Sequence, residues 1–163
     1  MHYAIVFSSQ TGNTKLLAEE IRRTLPAEDC LYFGAPDAKA LSADRIYVGF
    51  WTDKGLCDAA TAAFLKSLYQ QEVFLFGTAG LGDQPAYFEK VLARTQGLLP
   101  RSCTVIGTYM CQGKMPYSVR ERYEKMRQSP SSSPNVDALL ENFDRALSHP
   151  DAADLCRLRE SLF

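Results

Sequence analysis

The stretch that most constrains this chain is Ser8-Ser9-Gln10-Thr11-Gly12-Asn13-Thr14. A continuous apolar run, Tyr3-Ala4-Ile5-Val6-Phe7, precedes it. An amphipathic run, Lys15 to Leu25, follows and puts Leu17, Ile21 and Leu25 on one stripe. The first run fits a strand covered on both faces, and the second fits a helix ended by Pro26. The stretch between them is therefore a strand-to-helix turn rich in hydroxyls and amides, with one glycine for a tight bend. It has two readings. Ser, Thr and Asn favour helix N-caps, so it can be an ordinary capped turn. It can equally be an anion cradle, because free N–H groups and the positive end of the helix dipole converge there and suit a phosphate.

The same alternation continues downstream. Cys30–Phe33, Arg45–Phe50, Glu72–Phe76 and Cys103–Tyr109 read as further strands. Ala59–Tyr69 reads as a helix capped by Asp58, and Pro85–Thr95 as a helix with its proline in the first turn. Strands alternating with helices imply right-handed βαβ units and a parallel sheet with helices on both faces. The predicted fold class is α/β, a three-layer doubly wound sheet of five parallel strands in the order 2-1-3-4-5. In such sheets ligands bind beyond the C-terminal strand ends, at the switch point. Three polar or glycine-rich loops follow strands: Ser8–Thr14, Trp51–Asp58 and Gly77–Asp83. The predicted topology gathers all three on one rim, which favours the cradle over the cap.

The C-terminal part differs in character. Ser118–Arg127 is a strongly charged helix, read as a solvated face or equally as a docking face for a partner of complementary charge, and Ser129–Pro134 is the one linker-like stretch, expected to be mobile. Val136, Leu139, Leu140, Phe143 and Leu147 recur at helical spacing, and Asp151 is placed to cap a last helix. With no second core in view, residues 1–163 read as one domain with helices 118–162 packed on it.

Composition removes several function classes. A net charge of −1 over 163 residues, without a basic stripe, argues against nucleic acid. Five scattered cysteines include no C-x-x-C pair or zinc spacing, and the two histidines stand far apart, so no metal site is expected. No signal peptide or long apolar run is seen, so no membrane association and a reduced, cytoplasmic location are expected. A phosphatase reading fails for want of a Cys-x5-Arg loop. A response-regulator reading fails because the first strand ends in Ser8-Ser9, not in an acidic pair.

Ser9-Gln10-Thr11-Gly12-Asn13-Thr14, directly after the first strand, resembles the phosphate loop of the flavodoxin family. The resemblance implies that these residues bind the 5′-phosphate of FMN through backbone N–H groups and hydroxyls. No Lys or Arg lies within the loop, so dipoles must offset the dianion. Trp51, Thr52, Asp53 and Gly55 resemble the second flavin loop, where an aromatic stacks on the isoalloxazine and the peptide near the glycine responds to the flavin redox state. Thr78, Ala79, Gly80 and Gly82 resemble the third, which meets the ring edge. FMN is expected over FAD, since no dinucleotide fingerprint follows. The chain departs from the family after Gly82-Asp83. Gln84-Pro85-Ala86 stands where a stacking Tyr is common, which suggests an open flavin face and makes Tyr87 a packing residue.

A narrower resemblance covers Gly49–Gly55, Phe76–Gly80, Met110–Pro116 and Ser148–Asp151. These are similar to the BilS-type flavodoxin-like proteins, accessory partners of bilirubin reductase. That likeness implies an electron carrier serving a redox partner protein, rather than a stand-alone enzyme. The alternatives are an FMN-dependent reductase acting directly on a quinone or tetrapyrrole, and a scaffold that has lost its flavin. Cys111, read as a loop residue near Lys114, is either a reactive thiol lowered by the nearby cation or simple filling, and Cys57 has the same two readings. Cys30 and Cys103 read as core.

Overall fold

The computed structural model describes residues 1–129 and 135–163. Apart from Ser129, the expected linker Ser129–Pro134 lies outside the described residues. The strands are β1 (Tyr3–Phe7), β2 (Cys30–Gly34), β3 (Arg45–Asp53), β4 (Leu56–Cys57), β5 (Glu72–Ala79) and β6 (Thr104–Gln112). The helices are α1 (Asn13–Thr24), α2 (Ala59–Lys66), α3 (Pro85–Gln96), α4 (Tyr117–Gln128), α5 (Val136–Ala146) and α6 (Ala152–Ser161), with short 3-10 turns at Ala27–Asp29 and Ala38–Ser42.

The sheet runs β2-β1-β3-β5-β6, all parallel, which is the predicted order once β4 is set aside. Two-residue β4 pairs antiparallel with the end of β3 and is an addition to the five expected strands. Alternate residues of each strand face opposite layers. Ala4, Val6, Ile46, Val48, Val73 and Leu75 pack under α2 and α3, where Phe64, Leu65 and Val91 meet them. Tyr3, Ile5, Tyr47, Phe74 and Phe76 pack against Leu17 and Ile21 of α1 and Leu158 of α6.

Local chemistry explains the helix starts. Asp58 caps α2 by accepting from the Thr61 N–H, Pro85 opens α3, and Asp151 and Asp154 form a reciprocal capping box at α6. The α4–α5 pair is a hairpin with its own small cluster of Tyr123, Val136 and Leu140, inserted between β6 and α6.

Three strands run past their expected ends. Trp51 pairs with Thr78 and Thr78 with Cys111, so residues read as loop are the last rungs of the ladder. Polar and glycine residues are tolerated there because the neighbouring strand satisfies their backbone groups. Aromatic rings and glycines also interlock across the central strands. Gly49 sits opposite Phe76 and Phe50 opposite Gly77, and a Cβ on either glycine would stand within 2.4 Å of the facing ring.

Candidate functional site

The C-terminal ends of β1, β3 and β5 bring the three sequence-identified stretches together. Gly12 is the N-cap of α1, at φ +89°, and supplies no side-chain cap. The N-cap position itself therefore supplies no side-chain cap, and the one side-chain cap in this turn comes from Ser9, three residues upstream. Ser9 Oγ accepts from the Lys15 N–H at 3.3 Å. Thr14 is buried, donating to the Phe50 carbonyl at 3.1 Å and meeting the Thr78 hydroxyl at 3.2 Å. Thr52 donates to the Thr78 carbonyl at 2.8 Å, tying β3 to β5 beneath the rim.

Two cavities open here. A small one of about 70 Å³ is lined by Gln10, Thr11, Asn13, Trp51, Thr52, Thr78 and Gly80, together with Gly113–Pro116. Beside it lies a larger one of about 360 Å³, which shares Gln10, Trp51, Thr52 and Gly80 and adds Asp53, Leu81, Tyr87 and Tyr123. A roomier depression of about 470 Å³ lies at the opposite end of the sheet, around Asp44 and Glu72 at the strand starts. That is the end where doubly wound sheets do not place ligands.

The remaining sequence-identified residues support the rim rather than line these cavities. Ala79 is buried in the core as the last residue of β5. Gly55 turns the β3–β4 hairpin at φ +79°, where its carbonyl accepts from Arg94. Gly82 sits beside the Tyr87 ring.

Met110–Pro116 carried the narrower resemblance, but none of the residues after β6 was assigned to the binding site from sequence. The Lys114 carbonyl accepts from Asn13 Nδ2 at 2.8 Å and Thr11 Oγ1 at 3.3 Å, so these two polar side chains are held by the chain itself. Asn13 Oδ1 is buried and lacks a partner among the described residues. The Met115 side chain lies on Gly80, where a Cβ would come 2.2 Å from Met115 Cγ. Sequence reading also missed Tyr123 and Val119 of α4, which line the larger cavity, and Asn142 of α5, which bonds Gly80. From sequence α4 was legible only as a charged face and α5 only as an apolar spacing, and neither signal reveals what a helix covers.

The thiol readings need correction. Cys111 is not in a loop. It lies in β6, packs with Tyr109 and Leu158, and burial followed by the nearby Asp154 charge pushes its thiol far up. Cys57 is buried in β4, and burial pushes its thiol up to about 11. Neither is a reactive thiolate, because desolvation outweighs any nearby cation. Cys30 and Cys103 are half-buried at the margins of the two core clusters. Tyr87 packs against the α3-side core as expected, yet its ring also borders the larger cavity.

His149, Asp151 and Asp154 are the one group among the described residues with metal-like spacing. Asp154 is already satisfied: Oδ2 meets His149 Nδ1 at 2.6 Å and the Asp151 N–H at 2.8 Å, and Oδ1 takes Arg157 at 2.6 Å. This is a structural knot at the start of α6.

Comparison with known proteins agrees with this architecture. Residues 4–162 match the model of the flavodoxin domain. The flavodoxin-like domain-containing protein BilS of Clostridium symbiosum (strain WAL-14163) is 36% identical, over 99% of this chain and 94% of that protein. The BilS protein of Clostridioides difficile (strain CD3) is 26% identical, over 95% and 90%. Among solved structures, a short-chain flavodoxin associated with a bacterial microcompartment superposes with a TM-score of 0.55 at 17% identity, covering 90% of this chain and 96% of that one. Fusobacterium nucleatum flavodoxin bound to flavin mononucleotide gives 0.52 at 13% identity, covering 88% and 95%. No helix among the described residues is long and apolar enough to cross a membrane.

Proposed function

The chain belongs to the flavodoxin domain family, and from that premise we propose that it binds FMN and passes electrons to a partner reductase. The observation that carries this reading is the meeting of a helix N-terminus with glycine at its N-cap, Gly12, with Trp51 and Gly80 on one rim. The residues suit the group. First-turn N–H groups and the helix dipole offer a phosphate site without a cationic side chain. The buried, unpartnered Asn13 Oδ1 calls for a hydroxyl donor, as a sugar-like chain would supply. Trp51 beside the larger cavity offers a flat apolar surface to a ring.

Bound flavin would supply the redox chemistry, and the protein would hold, orient and shield it. In this reading Ser9 to Thr14 cradle the phosphate, Trp51 to Asp53 border one side of the ring, and Thr78, Gly80 and Leu81 meet its edge, with Gly55, Ala79 and Gly82 supporting the rim from behind. Tyr87 and Tyr123 also line the larger cavity. The likeness to BilS-type proteins extends the proposal to a bilirubin reductase as the acceptor. Free cysteines accord with the reducing cytoplasm as the site of action.

The test is a visible spectrum of the pure protein, with FMN added if none is retained, followed by mixing of the reduced protein with bilirubin or quinones. Flavin uptake with reoxidation only in the presence of a partner reductase supports the carrier. Fast reoxidation without a partner would instead establish a direct reductase. No uptake of FMN would establish a scaffold.

A further inference from the structure

Asn142 lies on α5 and is 6% exposed. Its Nδ2 donates to the Gly80 carbonyl at 2.8 Å, and its Oδ1 accepts from Gln112 Nε2 at 2.8 Å. Gln112, the last residue of β6 and 3% exposed, also reaches the Gly80 carbonyl at 3.3 Å. One carbonyl in the third rim loop thus takes two buried amide donors, one of them from a helical hairpin inserted after the sheet is complete.

This grip has a consequence for the next peptide group. The one cis peptide among the described residues is His149–Pro150, so the Gly80–Leu81 bond is trans. A trans peptide points its C=O and N–H in opposite directions. Holding the Gly80 carbonyl toward α5 therefore turns the Leu81 N–H away from α5. Gly80 and Leu81 both line the larger cavity with Trp51. A buried side-chain amide that satisfies both partners holds one orientation, whereas a free glycine peptide would sample several.

We propose that Asn142 is a positioning residue: through the Gly80 carbonyl it orients the Leu81 N–H as a donor toward the flat ring end of a ligand in the larger cavity. The inference rests on the flavin reading above and deepens it. It gives the α4–α5 hairpin a role in ligand affinity beyond covering the sheet end.

Riboflavin, FMN and inorganic phosphate separate the ring end from the phosphate end. Their affinities are measured on the full chain, by Trp51 fluorescence for the flavins and calorimetry for phosphate. Asn142→Ala should weaken riboflavin and FMN by the same factor, roughly tenfold, the size of one hydrogen bond. Inorganic phosphate should bind as in the wild type, and the Leu81 amide signal should shift in the NMR spectrum of the ligand-free protein. Asn142→Leu keeps about the side-chain size, offers no donor and buries no charge. It should show the same loss, and it decides the matter where Asn142→Ala does not fold. Unchanged riboflavin affinity overturns the proposal. So does an equal loss of riboflavin and phosphate tracking a lower melting temperature, which would mark a purely structural contact. A wild-type protein that binds neither FMN nor riboflavin would overturn the flavin reading itself, a distinct result.

Discussion

The hydroxyls of Thr14 and Thr78, 64 positions apart in sequence, meet at 3.2 Å in the buried floor beneath the rim. Thr14 also donates to the Phe50 carbonyl, so one side chain at the start of α1 touches both central strands. The two threonines are therefore unequal. Thr14→Val removes both contacts and should cost about 1–3 kcal/mol, whereas Thr78→Val leaves the bond to Phe50 and should cost about 0.5–1.5 kcal/mol. Urea unfolding midpoints of the two variants give the order, and a larger loss for Thr78→Val would refute the asymmetry.

Gly49→Ala tests the interlocked strands. The new Cβ would stand 2.3 Å from the Phe76 ring, which is fully buried and has no room to yield. Overpacking of this kind should cost about 1–3 kcal/mol. Phe76→Leu in the same chain should return part of the loss. Gly80→Ala should be milder, since its new neighbour is the flexible Met115 side chain. Thermal denaturation of the three variants checks the ranking.

Glu20 joins α1 to α6. Its carboxylate meets Arg23 and Arg159, each at 2.6 Å. The Arg23 hydrogen bond first, with Arg159 adding, holds the Glu20 carboxyl below its ordinary range despite partial burial. A carboxyl lowered in the folded state contributes stability above its unfolded pKa and loses it as pH falls through the folded value. The stability gap between wild type and Glu20→Gln should therefore be widest near pH 7 and close in acid. A gap that widens on acidification would contradict this.

The five thiols should separate by environment. At pH 8, iodoacetamide should label exposed Cys156 first and leave Cys57 and Cys111 unmodified in the native protein. Burial raises both of the latter, so neither supplies appreciable thiolate at that pH. Mass spectrometry of the digested protein reads the order, and early labelling of Cys111 would restore the reactive-thiol reading.

Trp51→Ala tests the ring end of the site without touching the N-terminus of α1. Loss of aromatic contact and apolar area should lower riboflavin affinity at least tenfold, with inorganic phosphate affinity unchanged. Isothermal titration serves for both ligands, because this variant lacks the chain's only tryptophan. Equal losses for the two ligands would place Trp51 in the fold rather than at the site.

Much of the architecture was legible in the residues. The apolar runs at Tyr3–Phe7 and Arg45–Phe50, the caps at Asp58 and Asp151, and Pro85 are local signals, and local structure follows them. Strand ends were less legible. Trp51, Thr78 and Cys111 look like loop residues by composition, but a parallel ladder continues as long as its neighbours do. The same shift explains the misreading of Cys111, whose burial comes from α6 packing across it and not from its immediate neighbours.

The sequence by itself determined the strand–helix alternation, the parallel order and the rim on which Ser8–Thr14, Trp51 and Gly80 converge. Periodicity and turn chemistry act over a few residues and point consistently to one topology. Only the tertiary structure decided what closes that rim: the Lys114 carbonyl on Asn13, Met115 on Gly80, and Asn142 reaching Gly80 across 62 positions. A buried amide announces neither its burial nor its partner in its own segment. Both depend on which distant backbone arrives beside it when the layers pack.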